Sequence, residues 1–180
     1  VYGGFAGTET LLSQRSVALN RTILSGDIGT IGDISDNSQH VVTCFATGAI
    51  FDGLTVRDGN SPNYGGGMYN SGSITLTVSN CSFINNSAQY GAGMANEGGA
   101  TVTASNCVFS GNAAAFLGGG VHDAYADSPH TWTNIEFIGN SSPGGSYNGG
   151  GIFIEGSPMT MVNCTFGGNT GILNGGAVTA

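Results

Sequence analysis

From residue 49 onward the chain alternates apolar and polar residues in short runs broken by glycine and asparagine. Leu76, Val78, Cys81 and Phe83 are apolar, with Thr75, Thr77 and Ser82 polar between them; a period of two predicts half-buried strands. The parity breaks at Ser79-Asn80, which marks a bend. One motif recurs, as Asn80-Cys81-Ser82-Phe83-Ile84-Asn85-Asn86, Asn106-Cys107-Val108-Phe109-Ser110-Gly111-Asn112, Asn134-Ile135-Glu136-Phe137-Ile138-Gly139-Asn140 and Asn163-Cys164-Thr165-Phe166-Gly167-Gly168-Asn169. Leu54-Thr55-Val56 reads as a degenerate earlier copy. Between the copies lies a glycine cluster ending in Met68, Met94, Val121, Ile152 or Val178, and these residues are 26, 27, 31 and 26 positions apart. Two interleaved motifs on one period mark a solenoid. The pattern predicts an all-β, right-handed parallel β-helix of about seven coils, roughly 30–35 Å long at the spacing of a sheet. Essentially no helix is expected beyond a turn at Glu9–Ser16. The chain reads as a single domain, 1–180, with irregular coils over 1–48 and regular repeats over 49–180.

Stacking converts each repeat position into a column of like residues. Phe83, Phe109, Phe137 and Phe166 are expected to stack inside the helix. Asn80, Asn106, Asn134 and Asn163 should form an amide ladder at a turn, and Asn86, Asn112, Asn140 and Asn169 a second. Cys81, Cys107 and Cys164 share a column with Ile135, so they read as small buried hydrophobes with free thiols. Cys107 and Cys164 are two rungs apart, too far for a bridge. The glycine clusters fit places of close backbone approach or positive φ.

Composition narrows the function. Glycine alone supplies 33 of 180 residues, and with Asn, Ser and Thr it makes up nearly half the chain, a poor helix-forming mixture. Only 8% of residues are charged, three of them Arg and none Lys, for a net charge of −8. Nucleic-acid binding needs clustered cations and is excluded. No apolar run is long enough to span a membrane as a helix. With no C-x-x-C pair, a zinc site is disfavoured.

The Phe-x-x-Asn elements Phe83–Asn86, Phe109–Asn112, Phe137–Asn140 and Phe166–Asn169, together with Gly175-Gly176-Ala177-Val178, resemble the repeats of chlamydial polymorphic outer-membrane proteins and related bacterial β-helix proteins. The opening stretch from Val1-Tyr2-Gly3-Gly4 through Asp36-Asn37-Ser38-Gln39-His40-Val41-Val42 is similar to the first coils of large secreted proteins of this kind. The other glycine clusters depart from the family by placing Gly or Met where it has Ala or Ile. The resemblance implies a β-helix in an extracellular or bacterial cell-surface location, in adhesins, passenger domains and surface structures.

The expected function is therefore a secreted or surface-displayed structural or adhesive module without catalysis, its partners being copies of itself or cell-surface glycans or proteins. Val1–Phe5 and Gly175–Ala180 each lie within strand-like sequence, so either the native chain continues or copies stack head to tail into a fibre. Two other functions are open. A polysaccharide lyase or hydrolase would need an acid/base group, and the segment Val121–His130 holds His122, Asp123, Tyr125, Asp127 and His130; the alternative there is an insertion loop with solvated charges. His130 falls at the ladder position of Leu76, Val102 and Met159. An ice-binding surface would use the rank Thr77, Thr103, Thr131 and Thr160, flanked by Thr75 and Thr101 but interrupted by Pro129 and Pro158. No cofactor is required. Asp27, Asp33 and Asp36 are compatible with calcium, which takes several oxygen ligands, against a plain solvated loop. Asp52, Arg57 and Asp58 read as a surface ion pair.

Overall fold

The computed structural model describes residues 1–144, 148–172 and 175–180. It is a parallel β-solenoid whose coils contribute to three sheets. The widest has nine strands in two tracks. One track holds Ala49–Asp52, Thr75–Ser79 and Met159–Val162; the other holds Thr22–Ser25, Leu54–Arg57, Ser82–Ile84 and Thr165–Gly167. In two middle turns the tracks fuse into the long strands Thr101–Ser110 and His130–Ile138. The six-stranded sheet contains Val42–Cys44, Met68–Ser71, Met94–Glu97, Val121–Ala124, Ile152–Glu155 and Val178–Thr179. The four-stranded sheet contains Ser87–Tyr90, Ala113–Leu117, Ser141–Ser142 and Thr170–Gly171. Helix among the described residues is confined to two 3-10 turns, Leu12–Gln14 and Ile34–Asp36. None is long and apolar enough to cross a membrane.

The turns number about five, not seven. Dividing the length by the repeat overcounts because residues 1–48 contribute only Thr22–Ser25, Val42–Cys44 and the bridge from Tyr2 to Asp52. The remainder of that segment is loop and the two 3-10 turns.

The register pairs the repeats as the motifs do. Met68 lies beside Met94, Met94 beside Val121, Val121 beside Ile152 and Ile152 beside Val178. The four phenylalanine rings stack at 4.8, 5.1 and 4.8 Å, tilted by 10° or less. The glycine clusters make room for that stack. A Cβ on Gly120 would stand 2.5 Å from the Gly151 carbonyl oxygen and 3.0 Å from Phe137. Gly118 serves differently, turning the chain at φ +63° where a side chain would be strained.

The two asparagine columns do different work. Asn80, Asn106, Asn134 and Asn163 sit at φ between 52° and 55°; the last three each donate to the preceding Asn oxygen at 2.6–3.2 Å, and Asn80 donates to Asp52 Oδ1 at 2.8 Å. This ladder is exposed at the bend of the wide sheet. The second column lies inside. Asn86, Asn112 and Asn140 are completely buried. Each donates one N–H to the next Asn and one to a backbone carbonyl: Val56, Phe83 and Phe109 respectively. Such complete pairing is what allows an amide in a core. All four cysteines are unpaired; Cys44, Cys81 and Cys107 are buried, but Cys164, on the last turn, is only half-buried rather than sealed.

Candidate functional site

Only the middle of the segment Val121–His130 is a loop: residues 125–129 lie outside the strands, with Tyr125 and Asp127 exposed. Val121–Ala124 is a strand of the six-stranded sheet and His130 begins a strand of the wide one. Alternation then sends neighbouring side chains to opposite faces, which divides the five candidate residues between two environments.

Asp123 and His130 point inward and are completely buried. His130 Nε2 faces Asp123 Oδ1 at 3.2 Å, while its Nδ1 accepts from the Val102 N–H at 3.1 Å. The Val102 bond fixes the tautomer with Nδ1 bare. The other carboxylate oxygen accepts from Asn96, whose own oxygen accepts from Asn70, both at 2.8 Å. These groups form a polar row in the core with no path to solvent. A substrate cannot reach them.

His122 points outward, with Tyr125 and Asp127 at the strand end. His122 Nδ1 lies 2.7 Å from Glu97 Oε1, an ion-pair distance if the ring is protonated. The Tyr125 hydroxyl donates to Glu155, and that bond is the main cause holding the phenol above its ordinary pKa. Asp127 is exposed and joins neither pair.

Around His122 the outer face of this sheet is aromatic. His40, Tyr69, Tyr64, His122 and Phe153 follow one another with ring centroids 5.2, 6.1, 5.9 and 5.6 Å apart. Tyr69, Ala95, His122 and Phe153 occupy one outward column of the register. Ala95 leaves a gap in it, and the Tyr64 ring fills that gap between Tyr69 and His122. Tyr90 flanks the column, 5.0 Å from Tyr64 and 5.8 Å from His122, and Phe116 extends it. Burial, followed by the charge of Glu97, pushes the Tyr64 hydroxyl above its usual range. The next outward column reads Ser71, Glu97, Ala124 and Glu155. Sequence reasoning missed Tyr64, Tyr69, Tyr90, Phe153, Glu97 and Glu155. Part of the signal was there: the aligned repeats carry Tyr69, His122 and Phe153 one position after the glycine-cluster apolar residue, Glu97 and Glu155 three after it, and Tyr64 and Tyr90 just before the cluster.

The remaining candidates are dispersed. Asp27 accepts from the Gly32 N–H, Asp33 from Ser35, and Asp36 from the Thr30 N–H. Each carboxylate thus holds its own loop, and the Ser35 bonds keep Asp33 below its ordinary pKa. Among the described residues no three acidic, His or Cys groups are gathered as a metal site. Thr77, Thr103, Thr131 and Thr160 are in register and exposed on the wide sheet; Thr101, in the flanking rank, is buried. Asp52 pairs with Arg15 at 2.6 Å, leaving Arg57 to Asp58 at 2.9 Å. No protein-family model, curated protein or solved structure matches this chain.

Proposed function

We propose that the protein is a non-catalytic adhesive module of a secreted or surface-displayed protein, binding glycans through the outer face of its six-stranded sheet. The observation that supports this is the segregation just described. Aromatic rings and two carboxylates are gathered on one outer face, whereas Asp123 and His130 are sealed inside. Tyrosine edges and carboxylate oxygens suit sugar hydroxyls, and a rigid sheet supplies the preorganisation that weak polar contacts need.

The test is retention of the protein on immobilised neutral, acidic and amino polysaccharides. One class should retain it, and Tyr64→Ala with Tyr90→Ala should weaken retention about tenfold. The same incubations should yield no new reducing ends and no unsaturated sugars. Failure of every polysaccharide to retain the protein would refute the reading. So would turnover that disappears in His122→Ala.

A further inference from the structure

The aromatic face carries two carboxylates, Glu97 and Glu155, spaced along the solenoid axis. Extending the register one residue past the Asp123–Asn96 pair puts Ala124 beside Glu97, and Ala124 pairs with Glu155, so the two acids fall in one outward column on alternate turns. Two rungs of a parallel sheet separate their Cα atoms by about 9.6 Å. That is close to the length of one β-1,4-linked disaccharide, so alternate units of an extended sugar chain lying along the axis would each meet one carboxylate.

Neither acid has an Arg partner, and the group that can turn cationic beside them is His122, with Nδ1 2.7 Å from Glu97 Oε1. The three arginines lie elsewhere: Arg15 pairs with Asp52, Arg57 with Asp58, and Arg21 borders a groove with Val17 and Leu54. Tyr64 and Tyr90 add π electron density beside the carboxylates, which attracts ammonium groups. An acidic polysaccharide would meet like charge here. Two further features make this more than an acidic patch. His122, its side chain only 5% exposed, forms the floor between Glu97 and the rings of Tyr64, Tyr90 and Phe153, and its Nε2 has no hydrogen-bond partner. Beside it, a groove of about 520 Å³ runs past Leu117, Phe153, Glu155 and Gly156.

We infer that this face takes β-1,4-linked amino-sugar chains bearing free amines, with Glu97 and Glu155 each pairing an ammonium group of alternate units. The inference rests on the adhesive reading above and specifies its ligand. A neutral glycan would use the same rings but bring no ammonium group to the two carboxylates.

The experiment is calorimetric titration of the protein, at about pH 6 where sugar amines are protonated, with four ligands. These are a fully deacetylated glucosamine hexamer, its N-acetylated counterpart, a galacturonate hexamer and a short poly-lysine. The deacetylated hexamer should bind about tenfold or more tighter than the other three. Glu97→Gln with Glu155→Gln should weaken it by a similar factor, with unchanged thermal unfolding. Asp27→Asn with Asp33→Asn removes two charges from a distant loop and should have less than about a threefold effect, as long-range screened charges do. Equal affinity for the N-acetylated hexamer or poly-lysine would overturn the inference, as would equal losses in the two double variants. Binding of the N-acetylated or galacturonate hexamer alone would leave the adhesive reading standing and refute only the amine specificity. Failure of all three sugar hexamers to bind would count against both.

Discussion

Asn112 shows how much one side chain can hold. Its amide donates to Phe83 O and to Asn140 Oδ1, both at 2.9 Å, and its own oxygen accepts from the backbone and side chain of Asn86 at 3.0 Å. Truncation to Ala leaves several buried partners unpaired. Unsatisfied buried groups cost about 1–3 kcal/mol each, so Asn112→Ala should lose about 3 kcal/mol or more in denaturant unfolding, and exposed Asn106→Ala much less. Alignment of the motif identified both asparagine columns but could not rank them. Asn ordinarily lies at the surface, and only the three-dimensional path shows that one column faces inward. Cys107 supplies a second test. Its hydrogen bond with Cys81, then its burial, pushes the thiol well above the ordinary cysteine range. A group whose pKa rises on folding stabilises fully below the unfolded value, and that contribution is lost as pH rises beyond it. Thermal stability should therefore decline above about pH 9, and Cys107→Ile, the residue the next rung carries as Ile135, should flatten that decline.

At the scale of the strand, repetition and function separate. Positions that recur from coil to coil, such as Phe83, Phe109 and Phe137, build the core and were legible in sequence because stacking demands like residues. The outer face is built where the repeats disagree. Tyr69, Ala95, His122 and Phe153 share one column, and it is the smallness of Ala95 that admits the ring of Tyr64. A search for periodicity discards such differences as noise, which is why the aromatic face went unread while the ladders did not. The charges of Val121–His130 suggest a loop, which holds for 125–129, but strand alternation carries Asp123 inward, where its Oδ2 accepts from Asn96. The close approach of neighbouring strands gives a test at this scale. Gly120→Ala would force the Gly151 carbonyl and the Phe137 ring aside, and overpacking of this kind costs about 1–3 kcal/mol. A lowered melting temperature with an unchanged far-ultraviolet circular dichroism spectrum is expected.

Across the whole molecule each turn touches only its neighbours, so stability is close to a sum over turns and the contacts between them. The turns should then be separable as modules, but not equally so. The inward row in the six-stranded sheet runs Cys44, Asn70, Asn96, Asp123 and the partly buried Ile154, and this order works as an address for each coil. Excising residues 94–120 would bring Asn70 to Asp123, amide against carboxylate, and Phe83 to Phe137; the shortened chain should fold and melt cooperatively, while losing Glu97. Excising 121–151 would set Asn96 against Ile154 and strand its amide, so that chain should melt at a distinctly lower temperature although it keeps just as many matched phenylalanines. A lineage that gains or loses coils by recombination could therefore cross some junctions of this array freely and not others. The grammar of permitted edits is carried by three polar residues that no ligand ever meets.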